Sequence, residues 1–355
     1  MPRITLKSVS NYILKDVSLS VRDGEVMVLL GRNGAGKSTL LNIIAGLIEY
    51  RGSVLFDDQP MDRIGPEKRQ VGYLFQDLAL FPHMKVRDNV GYGLHMRESG
   101  NRLKMAKKID ALLEMVNIQH LGDRYPRILS GGEKQRVALA RAIASNPKVL
   151  LMDEPLSSLD LRSAKYLRME FRQLQRKIGA TTVFVTHSLD EAAEIADRIA
   201  IMDHGEILQI GAPDDVIFNP VDKRIRSFIG EPNILTCQSS HAIENGLAVA
   251  TCGELPIVTP YEGKPIRKIA IAPEHIYLST EPPAGPRINR FQGVVQRIQD
   301  YSSMVRIVVD VRGQEIVAEL PRKVSDLMGL SKGSQVHIIL KLRWLQVLNG
   351  ETVSL

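Results

Sequence analysis

Residues 31–39 read GRNGAGKST, and this stretch decides the fold of the first part of the chain. It fits the pattern G-x-x-x-x-G-K-[ST] through Gly31, Gly36, Lys37 and Ser38. The apolar run VMVLL precedes it at 26–30, and a helical pattern that begins LLNII follows it at 40–44. A strand, a loop and a helix in this order predict an α/β sheet with a functional loop at the end of one strand.

The loop has the chemistry of a phosphate-binding site. Its glycines allow the backbone to curl around a polyphosphate with N–H groups pointing inward, and the following helix directs the positive end of its dipole there. We expect Lys37 to reach the β- and γ-phosphates of a nucleotide and Ser38 to offer its hydroxyl to Mg²⁺. A glycine-rich turn formed by chance is the alternative, and both flanking patterns argue against it.

The composition is that of an ordinary soluble globular protein. The chain has 355 residues, enough for two domains, with 44% apolar and 24% charged residues. No apolar run approaches the ~18 residues that span a bilayer, and the start MPRITLKSVS lacks the apolar core of a signal peptide, so we expect a cytosolic chain. The net charge of +6 comes without a concentrated basic stripe, which argues against a nucleic-acid partner.

Two cysteines, Cys237 and Cys252, are the only ones in the chain. In a cytosolic protein they are predicted to be inert packing residues, and they are too few for a metal site of their own.

Two polar or aromatic residues near the loop leave alternatives open. Tyr12 lies in a turn between the predicted strands 4–6 and 14–21, where it could stack on a base or be a half-buried residue at a sheet edge. Gln76 ends the predicted strand 71–75, where it could touch Mg²⁺ or the attacking water, or be a solvated strand end.

The hydrophobic pattern changes between residues 77 and 145, where amphipathic helical patterns predict an insert in the α/β core. Within it, LSGGE at 129–133 gives Ser130 and Glu133 the spacing of a capping box. A capped helix start beside two glycines is a second anion-binding site. A chain with two phosphate sites is expected to need two copies to use them.

A second set of polar residues follows two apolar strands. Asp153 and Glu154 end the run at 149–152; Asp153 suits indirect Mg²⁺ coordination, and Glu154 suits the general base that activates water. A salt-bridged surface pair is the alternative. His187 follows the strand 181–186, and although a lone histidine is usually structural, this position favours a hydrogen bond to the γ-phosphate.

With these residues in hand, the chain resembles the ATP-binding cassette (ABC) ATPases over about residues 3–230. GRNGAGKST resembles Walker A, LSGGE the family signature, VLLMDE at 149–154 Walker B, Gln76 the Q-loop, 158–160 the D-loop, and His187 the switch histidine. The resemblance implies two cassettes arranged head to tail, with each ATP between Walker A of one and Ser130–Gly132 of the other, and Tyr12 stacked on adenine. One cassette per chain implies a homodimer, or a dimer with a related chain.

The resemblance and the residue chemistry together predict three sets of site residues. The catalytic set is Glu154, His187, Lys37 and Gln76. The Mg²⁺ set is Ser38, Gln76 and Asp153. The ATP-binding set is Tyr12, Gly31, Arg32, Asn33, Gly34, Ala35, Gly36, Lys37, Ser38, Thr39, Gln76, Ser130, Gly131, Gly132, Asp153 and Asp160.

Residues 231–355 differ in kind, since Pro-rich connections separate short alternating strands and Arg312–Gly313 marks a tight turn. They predict a small OB-like β-barrel, which resembles the TOBE domain of solute importers. The expected fold is therefore a P-loop ABC cassette with a helical subdomain at 1–230, followed by an all-β TOBE-like domain at 231–355.

The resemblance also implies a role at the cytoplasmic face of a membrane. The expected partners are integral membrane permease subunits, contacted near 81–83, and a solute-binding protein through the complex. The preferred cargo is an oxyanion, molybdate or tungstate, on overall resemblance that includes EPNIL at 231–235. Sulfate, ferric iron, polyamine and sugar importers are alternatives; a soluble ABC ATPase of DNA repair or translation would show long coiled coils or two cassettes.

Overall fold

A computed structural model describes residues 1–97, 102–157, 161–261, 263–301 and 303–348 of the chain. They form two compact units, Met1–Phe228 and Ile229–Leu355. None of the helices in these ranges combines the length and the apolar character needed to cross a bilayer.

Among its described residues, the first unit contains ten strands and eight α-helices, the last of which ends at the first residue of the second unit. The strands are β1 Ile4–Ser10, β2 Val17–Val21, β3 Val26–Leu30, β4 Arg51–Phe56, β5 Gln59–Pro60, β6 Val71–Leu74, β7 Val149–Asp153, β8 Thr181–Thr186, β9 Arg198–Asp203 and β10 Glu206–Gly211. The helices are α1 Lys37–Ala45, α2 Val86–Arg97, α3 Arg102–Met115, α4 Gly131–Ala144, α5 Leu161–Ile178, α6 Leu189–Ile195, α7 Pro213–Phe218 and α8 Lys223–Ile229.

The main sheet of this unit has six strands in the order β10-β9-β3-β8-β7-β6. The five strands from β9 to β6 pair in parallel, and β10 pairs antiparallel at the edge. All residues of β3, β7 and β8 are buried, as expected for parallel strands covered on both faces, which is why their sequences are apolar runs and not alternating patterns. The carboxyl ends of β3, β7 and β8 therefore meet at one edge of the sheet.

A second, antiparallel sheet has the order β2-β1-β4-β5. The helix α1 buries Leu40, Leu41, Ile43 and Ile44 in an apolar cluster that also includes side chains from both sheets. This packing holds the start of α1, and hence the loop before it, in a fixed place.

Two strand boundaries differ from the prediction. The strand expected at 14–21 begins only at Val17, because the side-chain oxygen of Asn11 accepts hydrogen bonds from Ile13 N and Leu14 N, both at 2.8 Å, and folds 11–14 into a turn. The strand expected at 71–75 ends at Leu74, and a backbone hydrogen bond from Leu78 N to Phe75 O starts a turn there.

The helices of the predicted insert are α2, α3 and α4. The capping box at the start of α4 is confirmed: Ser130 N donates to Glu133 Oε2 at 2.7 Å, and Glu133 N donates to Ser130 Oγ at 3.4 Å. At α6 only half of the same pattern forms, since Ser188 Oγ accepts from Glu191 N but the Glu191 side chain turns elsewhere.

The second unit is built mainly of strands. These are β11 Asn233–Thr236, β12 Ser239–Ile243, β13 Leu247–Cys252, β14 Leu255–Pro260, β15 Lys268–Ile271, β16 Ile276–Ser279, β17 Arg290–Tyr301, β18 Met304–Val311, β19 Gln314–Pro321, β20 Gln335–Leu340 and β21 Gln346–Leu348, and the α-helix α9 Arg322–Met328 follows β19. They pair in three sheets, β11-β15-β21, β12-β13-β14 and β16-β20-β17-β18-β19, around one apolar core. The tight turn at Arg312–Gly313 is confirmed between β18 and β19, with φ of 51° and 78°.

The prediction that the two cysteines are inert packing residues was wrong. Both are buried in the core of the second unit, but Cys237 and Cys252 form a disulfide. The pairing of β12 with β13 places the residue that follows β11 beside the end of β13. A separation of 15 residues in the sequence does not indicate that contact.

Candidate functional site

The loop 31–36 connects β3 to α1 and is held closely against its surroundings. A Cβ added at Gly31 would lie 2.2 Å from Met202 O, and one added at Gly36 would lie 2.7 Å from a methyl group of Leu14. Gly36 also has a φ of 99°, a conformation that side chains disfavour. Both glycines of the pattern are therefore needed. Gly31 allows a close approach to the backbone of Met202, and Gly36 adopts a positive φ.

Lys37 begins α1 and turns its side chain back across the loop. Its Nζ donates to Gly31 O at 2.8 Å and to Arg32 O at 3.0 Å. Burial lowers the pKa of Lys37, and the nearby carboxylates Glu154 and Asp153 oppose that shift. The ammonium group therefore lies within the loop that would surround a phosphate.

Ser38 and Asp153 join α1 to the end of β7. Ser38 Oγ donates to Asp153 Oδ1 at 3.0 Å. Burial raises the pKa of Asp153, an effect opposed by this hydrogen bond and by Lys37. A buried carboxylate beside a hydroxyl is an oxygen donor set that fits Mg²⁺, which binds one or two protein oxygens together with phosphates and waters. The described ranges contain no cluster of three or more His, Cys, Asp or Glu residues that could hold a metal ion.

Two of the other predicted catalytic side chains, His187 and Gln76, meet at Glu154. His187 Nδ1 lies 3.3 Å from Glu154 Oε1, and Gln76 Nε2 donates to Glu154 Oε2 at 3.4 Å. The backbone of Glu154 is left-handed, with a φ of 44°, and its N–H donates to Val185 O at 3.1 Å. The turn that follows β7 thus directs the carboxylate toward the ends of β6 and β8.

Tyr12 lies in the turn between β1 and β2 and is 84% exposed. The alternative that it is a half-buried residue at a sheet edge is therefore wrong. Its neighbours Ile13 and Leu14 lie beside Gly36, so the tyrosine is held near the phosphate loop while its ring remains open to solvent.

The remaining predicted residues are distributed over the loop and the insert. Arg32, Asn33 and Gly34 are exposed, Ala35 is buried, and Thr39 lies in the first turn of α1. Ser130, Gly131 and Gly132 form the start of α4, where Ser130 and Gly131 are exposed. Asp160 and the other D-loop residues at 158 and 159 lie outside the described residues.

Three residues beside the site were missed by the sequence analysis. Thr186 and Glu191 form a buried hydrogen bond of 2.6 Å next to His187. Arg141 of α4 donates to Leu78 O and Ala79 O, both at 2.6 Å, and so connects the signature helix to the turn that carries Gln76. Position at a strand end could have indicated Thr186, whereas nothing local in the sequence indicates the long-range contact of Arg141.

Two family models match the chain. One, described as ABC transporter, matches residues 14–157, and one, described as TOBE domain, matches residues 288–347.

Several proteins with known names are similar over most of their length. The molybdate/tungstate import ATP-binding protein WtpC of Pyrococcus abyssi is 37% identical, with 96% of this chain and 97% of that protein covered. The sulfate/thiosulfate import ATP-binding protein CysA 1 of Chromobacterium violaceum is 40% identical, with 92% and 90% covered. The spermidine/putrescine import ATP-binding protein PotA of the same organism is 36% identical, with 93% and 92% covered.

Solved structures share the cassette fold. The protein cbiO1 of Clostridium perfringens, part of an ABC transporter complex, has a TM-score of 0.56 and 31% identity, with 60% of this chain and 89% of that chain covered. A dimeric ATP-binding cassette in a post-hydrolysis state with ADP and Pi has a TM-score of 0.54 and 30% identity, with 59% and 98% covered. With full-length import ATP-binding proteins matched over 92% or more of this sequence, the chain belongs to the ATP-binding subunits of ABC importers with a TOBE domain, which hydrolyse ATP to power transport.

Proposed function

We propose that this chain hydrolyses Mg²⁺-ATP in a site shared between two copies and powers the import of an oxyanion, molybdate or tungstate. The observation that carries the catalytic part is the meeting of Gln76 and His187 at Glu154, one residue after the Ser38–Asp153 pair. Gln76, Glu154 and His187 follow the ends of three different strands of one sheet, β6, β7 and β8.

In the proposed mechanism the triphosphate binds along the loop 31–36 and at the start of α1. Lys37 leaves the two loop carbonyls it now contacts and donates to the β- and γ-phosphates. Ser38, Asp153 and Gln76 are the residues that would hold Mg²⁺. The bound ion would neutralise the charge that develops on the phosphate oxygens.

Glu154 is the proposed general base. Its carboxylate has one oxygen toward His187 and the other toward Gln76, so the two neighbours fix its orientation. It accepts the proton of the attacking water, while His187 donates a hydrogen bond to the γ-phosphate. The hydrogen bond from Gln76 also ties the turn before the helical insert to the state of the nucleotide.

The second half of the ATP site is proposed to come from another copy. The start of α4 offers the exposed Gly131, the positive end of the helix dipole and the exposed Ser130, whose hydroxyl donates to Glu133 Oε2 at 2.9 Å. These groups suit a γ-phosphate on the opposite side. Tyr12 is the proposed stacking partner of adenine, and Asp160 is proposed as an ATP-binding residue because 158–160 resemble the D-loop.

Mixing two inactive variants tests the shared site. Lys37→Ala disables one half of a site and Ser130→Phe blocks the other half. In a mixed dimer of these two chains, one of the two sites contains neither change, so we expect ATP hydrolysis to appear on mixing. If each site lay within one chain, the mixture would stay as inactive as its components.

The proposed solute draws support from the similarity to the molybdate/tungstate protein described above, although sulfate/thiosulfate and spermidine/putrescine proteins are matched comparably. In cells of the source organism that lack this chain, we expect molybdate uptake to fall while sulfate and spermidine uptake is kept. Expression of the chain should restore uptake, and the Glu154→Gln variant should not. Loss of sulfate or spermidine uptake instead would assign the other solute.

The proposed membrane partner is a permease contacted by the helical insert, and a solute-binding protein would join through that complex. His83 is exposed just before α2, so a cysteine placed there is available to a neighbouring subunit. We expect His83→Cys to crosslink to an integral membrane protein at the cytoplasmic face of the membrane. Lys148→Cys, on the exposed turn between α4 and β7, is the matched control; equal capture from both positions would argue against the geometry.

A further inference from the structure

Glu191 lies in the first turn of α6, four residues after His187, and is almost completely buried, with 9% of its surface exposed. A buried carboxyl group needs a hydrogen-bond partner. Its partner is Thr186, whose Oγ1 lies 2.6 Å from Glu191 Oε2. Thr186 is the residue immediately before His187, so this hydrogen bond links Glu191 to the backbone that carries the imidazole.

The directions of the hydrogen bonds around Thr186 are determined by the number of protons. The backbone N–H of Ser188 donates to Thr186 Oγ1 at 3.0 Å. A hydroxyl has one proton to donate and lone pairs with which to accept, and the Thr186 O–H donates to Glu191 Oε2. The result is a continuous chain of bonds from the Glu191 carboxyl, through the Thr186 hydroxyl, to the peptide group that joins His187 and Ser188.

A second hydrogen bond connects Glu191 to the residue that follows His187. Glu191 N donates to Ser188 Oγ at 3.3 Å, so the residue after His187 is held both by its backbone and by its side chain. The His187 side chain itself is 53% exposed and has Glu154 at 3.3 Å. Since little packing surrounds the imidazole, the backbone of 186–188 determines where it lies.

Glu191 is also coupled electrostatically to the site. Burial raises the pKa of Glu191, the Thr186 hydrogen bond and the charges of Arg168 and His187 oppose this, and the Glu154 carboxylate adds to it. A change at Glu191 would therefore be felt at both His187 and Glu154.

We propose that Glu191 is a positioning residue of the ATPase site, which holds the His187 loop through the Thr186 hydroxyl so that the imidazole stays beside Glu154. This rests on the role proposed above for His187. It adds that the imidazole is placed by a buried carboxyl group on α6, which acts through Thr186 and the backbone of 186–188.

The test begins with the kinetic constants of four variants. Glu191→Ala and Thr186→Val each break the bond chain, and displacement of a catalytic group by about 1 Å can cost about 10²-fold in rate, so we expect a fall in kcat of that order. The KM for ATP should stay near wild type, because Lys37 and the phosphate loop are untouched. Glu191→Gln keeps an acceptor for the Thr186 hydroxyl and should retain most of the activity.

Glu194→Ala is the matched control. Glu194 lies one turn further along α6, and its carboxylate, on a side chain that is 43% exposed, pairs with Arg168 at 2.6 Å. Its removal deletes the same group from the same helix without touching 186–188, so kcat should be unchanged. A comparable loss in Glu194→Ala would mean that α6 matters only for stability, and would overturn the proposal.

A double-mutant cycle with His187→Ala separates this inference from the proposed function. If Glu191 acts through His187, Glu191→Ala has no further effect on kcat when His187 is already absent. An additional loss of the same size in the His187→Ala background would overturn the positioning role while leaving the ATPase assignment intact. If His187→Ala alone left kcat unchanged, the role proposed for His187 would fail, and the inference with it.

Discussion

The Lys37 side chain already lies in the phosphate loop, where the proposed mechanism needs its charge. Its Nζ contacts two carbonyl oxygens of the loop, a partly satisfied arrangement that a phosphate would replace with a stronger charge-assisted one. We expect Lys37→Ala to lower the rate of ATP hydrolysis by about 10²–10³-fold, since a charge that stabilises the transition state is lost. Lys148→Ala, which removes an exposed lysine elsewhere in the unit, is the control in a phosphate-release assay. A rate near wild type in Lys37→Ala would contradict the site.

Glu154→Gln should separate binding from chemistry. The amide keeps the size of the side chain and can still contact Gln76 and His187, but it cannot accept a proton from water. ATP binding is therefore expected to survive while hydrolysis is lost, and the protein should accumulate as a dimer when Mg²⁺ and ATP are added. Size-exclusion chromatography with bound nucleotide measured in each peak checks this; a monomer that carries ATP would contradict the shared site.

At this scale, much of the site could be predicted from the sequence because its residues follow recognisable strand ends. Ser38 and Asp153, and Glu154 with His187 and Gln76, were predicted separately, and the structure brings each group together. The connections of Thr186 with Glu191 and of Arg141 with Leu78 could not be predicted, since they depend on side chains that turn back across the fold.

The start of α4 links helix stability to pH. The backbone and side-chain hydrogen bonds from Ser130 lower the pKa of Glu133 below its usual 4.5. A carboxyl group whose pKa is lower in the folded state stabilises that state above its unfolded pKa, and this contribution is lost as the pH falls through the folded pKa. Glu133→Ala should thus cost about 1 kcal/mol near neutral pH.

The same difference should disappear in acid. Urea unfolding of wild type and Glu133→Ala, followed by circular dichroism, should give midpoints that converge as the pH falls below 4.5. Glu114→Ala, an exposed position late in α3, is the control and should show no such convergence. A constant difference at all pH values would show that Glu133 does not stabilise the helix start through its charge.

At the other end of the phosphate-loop helix, Arg69 holds the end of α1. Its guanidinium group is buried and donates to the carbonyl oxygens of Ile43, Ile44, Met61 and Ile64 at 2.8 to 3.0 Å. Arg69→Met removes all four of these hydrogen bonds, although Ile43 O still accepts from Gly46 N and Met61 O from Ile64 N. Since each buried acceptor that loses its partner costs about 1–3 kcal/mol, we expect a loss of a few kcal/mol in the free energy of unfolding. Arg63→Met, at an exposed position in the same segment, should leave the urea midpoint unchanged.

The elements themselves were predictable to different degrees. The apolar run of β7 and the helical pattern of α4 stand where the sequence indicates, because burial on both faces and a capping box leave clear patterns. The start of β2 was misplaced because the alternation of 14–21 continues through residues that the Asn11 side chain draws into a turn. A local pattern does not reveal which of two compatible conformations a polar side chain selects.

For the whole molecule, the two units can be followed separately because their spectroscopic and chemical probes differ. Trp344, the only tryptophan, lies in the second unit and stacks on His275 with ring centroids 3.8 Å apart. The disulfide of the same unit closes a loop of about 15 residues, which stabilises a fold by about 3 kcal/mol. Reduction should therefore lower the urea midpoint reported by tryptophan emission, while ATP binding by the first unit is unchanged.

The double variant Cys237→Ser/Cys252→Ser is the control for this experiment. It should unfold at the midpoint of the reduced wild type and show no response to a reducing agent. Thiol titration would establish that reduction of the wild type is complete. An unshifted tryptophan transition after complete reduction would contradict a stabilising disulfide.

The left-handed backbone at Glu154 has a consequence for how this protein family can diverge. Glycine, asparagine and aspartate adopt that backbone more readily than other residues, and β-branched side chains resist it. Replacement by one of the first three would silence turnover and yet relieve local strain, so inert but well-folded copies lie one substitution away. Valine or isoleucine at the same position would lower the solubility and yield of the protein as well as its turnover. Among duplicated genes, we therefore expect inactive copies to carry glycine, asparagine or aspartate at this position more often than valine or isoleucine.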